Sequence, residues 1–313
     1  MIMIGRLFPY FFAIALFTGC RSSSASTEED VGKVSFTLPE IPGMIVEPAE
    51  RDAFLLSNYW NNFNFKDSLS VLSNGFEKAF VNYIVLLQRT PGYSSYIASS
   101  LDSASRNHNV FVSFVNLYGK YLYNPNSPLR NETLYISVLQ YLLASDAVDD
   151  QSKPTYKFRL DLAMKNRPGE AANNFDFTTE KLTDSGERIA QISSMYGIKA
   201  DYLLIFFNNP DCMDCGRVKE YIKGSGIFNT MQRSGGLKIL SLFPDTDIEL
   251  WRNSEYPKEW INGYDTKHIV TDSLLYDLRA IPTLYLLDRN KNVVLKDATI
   301  ERIEAFFADG GQK

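Results

Sequence analysis

The sequence predicts two units in series, an all-α domain followed by an α/β domain. Three observations carry this reading. Residues 49–168 hold six stretches with apolar side chains at helical spacing, punctuated by Gly, Pro and Asn. From residue 174 on, short apolar runs of strand length alternate with helix-like stretches and end in a hairpin and a helix. The chain has 313 residues, 45% hydrophobic and 22% charged, which is enough for a core in each unit.

Residues 1–19 read as a signal peptide of the lipoprotein type. Arg6 is a minimal basic n-region, and 7–17 is an apolar run too short to span a bilayer comfortably. The run ends Leu16-Phe17-Thr18-Gly19-Cys20 and turns polar at Arg21-Ser22-Ser23-Ser24. Small residues before a Cys at this place resemble a bacterial lipobox, although Phe17 stands where Leu is usual. The resemblance implies lipidation of Cys20 and a chain lipid-anchored to membrane in the cell envelope, periplasm-facing in a Gram-negative cell. Residues 20–48 read as a tether: Ser/Thr/Glu-rich at first, then held extended or irregular by Pro39, Pro42 and Pro48.

In the helical region, residues 50–63 place Phe54, Leu55, Tyr59 and Phe63 near one face. Residues 74–87 repeat apolar positions at Phe76, Phe80, Ile84 and Leu87, with Asn74 as N-cap and Glu77 three residues later. Four more helices are expected over 94–107, 110–123, 132–144 and 155–165. Gly92, Asn107-His108-Asn109 and Asn124-Pro125-Asn126-Ser127-Pro128 separate them. Short connections between six helices argue for a helical bundle. The aromatic stripes, drawn from 21 Phe and 18 Tyr in the chain, read as core.

Arg167-Pro168-Gly169 closes that region. A short strand is expected over 174–178, and 186–196 alternates weakly. Residues 202–207 form an uninterrupted apolar strand, the pattern of burial on both sheet faces. A helix follows over 215–223, and 237–243 is a second buried strand. Helices are expected from 246 to 251, capped by Asp245 or Thr246, and over 273–278. Gly224-Ser225-Gly226 and Gly235-Gly236 read as loops. Residues 283–287 and 292–295 form a hairpin across Asp288-Arg289-Asn290-Lys291, and 300–308 a terminal amphipathic helix.

The chemistry-bearing motif is Cys212-Met213-Asp214-Cys215, after strand 202–207 and the turn Asn208-Asn209-Pro210-Asp211. At a helix start, unpaired backbone N–H groups and the positive dipole end favour a thiolate on the first Cys. The second Cys lies one turn along on the same side, so the pair can close a Cys212–Cys215 disulfide and open it again. The expected roles are attack by Cys212 and resolution by Cys215. With Cys20 acylated, these are the only free thiols of the three cysteines, and an exported chain with no other Cys has no structural disulfide framework.

Together with the buried strand before it, Asp211-Cys212-Met213-Asp214-Cys215 and the later Ile281-Pro282-Thr283 resemble the thioredoxin superfamily. The stretch Tyr276-Asp277-Leu278-Arg279-Ala280-Ile281-Pro282-Thr283-Leu284-Tyr285-Leu286-Leu287-Asp288 is especially similar to its TlpA-type, membrane-tethered branch. The resemblance spans about 174–313 and implies a thioredoxin-like fold. It also implies a cis-proline at Pro282 facing the dithiol, with the Ile281 backbone and Pro282 binding the substrate peptide. Two positions depart from the family: Asp211 replaces a common Trp, and Phe206 stands where thioredoxins proper carry a buried Asp. Residues 58–67 resemble the start of an uncharacterised helical domain that often precedes thioredoxin-like domains in Gram-negative lipoproteins.

The expected function is thiol–disulfide exchange on exported proteins, with protein disulfide substrates and a membrane thiol electron donor as partners and no cofactor. Asp211 and Asp214 oppose the helix dipole, an effect of about 1 kcal/mol, so a reductant or mild exchanger is expected rather than a strong oxidant. Three competing chemistries find less support. A zinc site would need two more ligands, and the chain has only His108 and His268 besides the dithiol. A peroxidatic site lacks its Thr, since Asn209 stands three residues before Cys212. Net charge is −5 with no basic stripe, which excludes nucleic acid as a partner. The alternative function is a non-enzymatic interaction module whose helical domain binds a partner.

Overall fold

The computed structural model describes residues 37–73 and 75–311. The expected signal peptide, Cys20 and the first part of the expected tether lie outside the described residues, as does Asn74, the expected cap of the second helix. Among the described residues no helix is long and apolar enough to cross a membrane.

Six helices come first: α1 (Pro48–Asn58), α2 (Phe76–Arg89), α3 (Tyr93–Ala104), α4 (His108–Tyr118), α5 (Glu132–Ala144) and α6 (Lys153–Ala163). Each matches an expected stretch. Asn107 caps α4 by accepting from the Asn109 and Val110 amides, and Asn131 caps α5 by accepting from Leu134. The first helix stops at Asn58 rather than running on to 63. Asn58, Asn61 and Asn62 are weak helix formers, and tight turns from Asn58 to Asn61 and from Trp60 to Phe63 replace helical bonds. The turns swing Trp60 into the core, where Tyr59, Phe63, Tyr83 and Phe114 pack edge-on around it with centroids 5.0, 5.5, 5.2 and 5.0 Å away. After α4 the chain makes one wide turn, Gly119–Tyr123, closed by Asn124 N–H donating to Gly119 O at 3.0 Å.

The remainder is a seven-stranded mixed sheet with helices on both faces. In chain order it runs β1 (Asp176–Leu182), β2 (Arg188–Ser194), β3 (Tyr202–Phe207), α7 (Met213–Gly224), α8 (Gly226–Arg233), β4 (Leu237–Phe243), α9 (Ile248–Arg252) and β5 (Ile261–Tyr264). Then come α10 (Ile269–Asp272), β6 (Thr283–Asp288), β7 (Val293–Lys296) and α11 (Ile300–Ala308). The strand order is β2-β1-β5-β4-β3-β6-β7, with β3 parallel to β4 and antiparallel to β6. Leu203, Ile205 and Phe207 of β3 enter one core layer, Leu204 and Phe206 the other. Burying these five side chains contributes on the order of 10 kcal/mol, which makes the C-terminal end of β3 a fixed platform. The chain before β1 lies along the outer edge of β7: Gly169 N–H donates to Val293 O (2.8 Å), Val293 N–H to Glu170 O (2.8 Å) and Ala172 N–H to Lys291 O (2.9 Å).

Three expectations in this half are corrected. Residues 226–233, bounded by glycine pairs, form α8 because Ser225 accepts from the Phe228 amide and restarts a helix where α7 ends. β5 went unforeseen because its four residues include Asn262 and Gly263. A Cβ on Gly263 would lie 2.7 Å from the Phe177 ring and 2.9 Å from Thr178 O, so only glycine lets β1 approach. Residues 273–278 are irregular, and the helix lies earlier, in α10. Carbonyls of this stretch bond outward instead: Leu275 O accepts from Asn166 and Asn173, and Leu274 O from Lys165 Nζ. Earlier in the chain, α9 is capped by Asp247, not by Asp245 or Thr246.

The two halves meet across a charged seam. Lys296, at the end of β7, keeps only 6% of its side chain exposed. Its ammonium pairs with Glu132 at 2.8 Å and donates to Ala163 O at 2.9 Å and Lys165 O at 2.6 Å. All three donors of the group therefore find acceptors on the helical side. Arg130 meets the Asp297 carboxylate at 2.9 Å and its carbonyl at 2.9 Å. Burial pushes the carboxyls of Glu132 and Asp297 up from their usual range, against the pull of Lys296 and Arg130. Replacing Lys296 with Met leaves Glu132 without its buried partner and should cost about 3–5 kcal/mol in urea unfolding at pH 7. A loss below about 1 kcal/mol would show that the seam is held elsewhere. A raised folded-state carboxyl contributes stability that is present below the unfolded value, about 4, and lost as pH rises through the folded value. The stability of the wild type relative to Glu132→Gln should therefore fall as pH rises above about 4. A difference that stays flat or grows would contradict the burial of Glu132.

Candidate functional site

The site is built where β3 ends. Asn208, buried, donates from Nδ2 to Phe206 O (2.9 Å) and Ser241 Oγ (2.8 Å) and ties the end of β3 to β4. Asn209 then shapes the turn: its Oδ1 accepts from the Asp211 amide (2.9 Å), and its carbonyl from the Cys212 amide (3.1 Å). The turn delivers Cys212 to the N-cap of α7. There its Sγ accepts from the Cys215 amide at 3.2 Å, the place usually taken by a capping oxygen.

Both cysteines are thiols. Cys212 is half-buried and Cys215 buried. The Cys212 thiol donates to Ile281 O at 3.5 Å, and the Ile281–Pro282 bond is cis. Residues 69 apart in sequence thus meet, and Ile281 and Pro282 stay half-exposed beside the dithiol. Thr283 fixes the far side of this segment by donating from Oγ1 to Ala280 O at 2.6 Å. Met213, between the two cysteines, is 85% exposed.

Burial pushes the Cys215 thiol up to about 12, the neighbouring Cys212 adds to the shift, and the Asn209 backbone pulls the other way. The surroundings of Cys215 are apolar, with Phe206, Trp260 and Leu284 in the same cluster. Phe206, at the position of the family's buried acid, packs edge-on to Trp260 at 6.2 Å. Glu220 faces solvent and binds Lys223 at 2.8 Å. Asp214 pairs with Arg217 one turn along α7, both exposed. The electrostatic argument from two aspartates therefore loses one member, because Arg217 offsets the charge of Asp214. That i,i+3 pairing was readable in the sequence.

Tyr256 had no sequence signal. Burial pushes its phenol up, and charge on Cys215 pushes it further; its ring packs against Trp251. Lys219 of α7 donates to Glu255 O at 3.2 Å and holds this loop against the redox helix. His108 starts α4 and His268 precedes α10, both away from the dithiol. Among the described residues no three His, Cys, Asp or Glu side chains gather as metal ligands.

A thioredoxin-like protein from Bacteroides caccae is 41% identical to this chain. The match covers 88% of this chain and 98% of that one, with a TM-score of 0.81. The chain belongs to the thioredoxin-like proteins. Two further structures each match just under half of the chain. One is the C-terminal domain of an uncharacterized protein from Bacteroides fragilis (43% identity, 46% of this chain and 98% of that one, TM-score 0.41). The other is the thioredoxin domain of a thiol-disulfide oxidoreductase from Bacteroides vulgatus (19% identity, 47% and 99% covered, TM-score 0.37). The family model for a domain of unknown function, DUF5106, matches residues 19–166. No curated protein matches the chain.

The thiol asymmetry has a direct readout. At pH 8 a thiol at about 12 is ionised in about one molecule in ten thousand. Iodoacetamide on the reduced full-length protein should therefore modify Cys212 and spare Cys215 in a peptide map. Equal labelling of the two would contradict the buried, apolar setting of Cys215.

Proposed function

We propose that this protein is a thiol–disulfide oxidoreductase of the TlpA type that reduces or exchanges disulfides in exported proteins. The observation that carries the reading is the convergence at Cys212. Its sulfur caps a helix, touches the carbonyl of Ile281 beside cis-Pro282, and has Cys215 one turn behind it.

In the reducing direction, the Cys212 thiolate attacks one sulfur of a client disulfide docked against Ile281 and Pro282. The client S–S bond breaks, and its second sulfur leaves as a thiolate that takes up a proton. Cys215 loses its proton and attacks Cys212 Sγ, which breaks the mixed disulfide and closes Cys212–Cys215. The client departs with two thiols, and two electrons have left the dithiol. A membrane thiol donor restores the pair by the reverse exchange. The raised Cys215 thiol suits a resolving group, which stays protonated until Cys212 is held in the mixed disulfide. A chain anchored through lipid at Cys20 would do this work at the periplasmic face of a membrane.

Trapping tests the reading. In Cys215→Ala the mixed disulfide on Cys212 cannot be resolved, so exported clients should accumulate on it and be released by dithiothreitol. Cys212→Ala should trap none. If Cys215→Ala collects no client under conditions where exported disulfide proteins are abundant, the exchange function is wrong.

A further inference from the structure

The charged seam extends to the dithiol. Arg279 lies two residues before Ile281, in chain that is neither helix nor strand. Such a segment has no helix or strand ladder to hold it and depends on its local contacts. Three fix Arg279. Its Nε donates to both oxygens of the buried Asp277 carboxylate at 2.8 Å. Its guanidinium lies 3.6 Å from the centroid of the Tyr123 ring, and its NH1 donates to Tyr123 O at 3.2 Å. Two of the three contacts therefore come from the helical domain, 156 residues away in sequence.

Tyr123 is itself held in place. It ends the wide turn after α4, a departure from regular helix that carries the ring to the seam. Tyr135 of α5 stacks on it at 4.7 Å and 25°, and Arg159 of α6 lies 4.7 Å from its centroid. Arg159 in turn donates to the Tyr135 hydroxyl at 3.0 Å. A continuous line of contacts thus runs from α5 and α6 through Tyr123 and Arg279 to Ile281, whose carbonyl meets Cys212.

We propose that Tyr123 and Arg279 are positioning residues for the Ile281–Pro282 segment, so that the helical domain forms part of the client-docking side of the exchange site. The proposal rests on the thiol–disulfide reading above. Neither residue touches the thiols. They act by fixing the backbone against which a peptide client aligns. A disulfide without peptide backbone does not use that wall and should not sense them.

The full-length chain and its Tyr123→Ala, Tyr123→Phe and Arg279→Lys variants test this. Steady-state reduction is measured with a disulfide-bonded peptide and with an aromatic disulfide that has no peptide backbone. Hydrogen exchange is followed at the amides of residues 278–281. Tyr123→Ala should raise KM for the peptide about tenfold while kcat, and the rate with the aromatic disulfide, stay within about twofold. Amides 278–281 should exchange about tenfold faster or more. Tyr123→Phe keeps the ring and should behave as wild type. Arg279→Lys keeps the charge but loses the flat stack, so it should shift KM and exchange in the same direction as Tyr123→Ala. It also decides the matter should Tyr123→Ala fail to fold. Unchanged KM and exchange in the folded variants overturn the proposal, as does an equal loss with both substrates, which marks a purely structural role. A wild type that reduces neither disulfide sinks the exchange reading, and the exchange rates of 278–281 then decide the positioning claim alone.

Discussion

Everything in this molecule hangs on a buried ammonium group that the sheet cannot satisfy by itself. Lys296 sits at the end of a strand, almost wholly out of water, and its acceptors lie at the start of α5 and the end of α6. An unpaired charge in that position is expensive, so the sheet and the bundle are stable together in one arrangement. Arg130 with Asp297, and Arg279 with Asp277 and Tyr123, repeat the pattern along the same seam. The apolar clusters of bundle and sheet are thereby held in register by Lys296 and Arg130, which find their ionic partners across the join, and by Arg279, which adds Tyr123 to a partner in its own half.

The dithiol follows the opposite logic. Its surroundings separate two chemically identical groups by environment alone. Cys212 receives a backbone N–H at a helix start and remains half-open beside Ile281. Cys215, one turn on, meets Phe206, Trp260 and Leu284, and its thiol holds its proton. An attacking group and a resolving group need such a difference, and here burial supplies it without a neighbouring carboxylate in the cluster.

The parts legible in the sequence were those decided locally. β3 and β4 could be bounded to the residue because the unbroken apolar run of β3 ends at Asn208 and the mainly apolar run of β4 ends at Pro244. α5 and α11 were equally clear, each with a capping residue just before it. The dithiol and Ile281–Pro282 were visible as short motifs. What escaped notice was decided at a distance. β5 exists because β1 crosses close to Gly263, and residues 273–278 are irregular because their carbonyls answer Lys165, Asn166 and Asn173. The contact of Arg279 with Tyr123 left no pattern in the chain, since packing alone brings such residues together.

The segment along β7 bears on where the two halves can be parted. Gly169, Glu170 and Ala172 bond to that strand and, by sequence alone, seemed to belong to neither half. They serve as the cover of a sheet edge, and uncovered edges recruit strands from other molecules. A thioredoxin-like fragment begun at 174 would keep every residue of the dithiol site and still expose a sticky border. Severing the chain ahead of Gly169 retains the cover but strips Lys296 of Glu132, Ala163 O and Lys165 O, so the sheet keeps its border only by losing the partners of its buried ammonium.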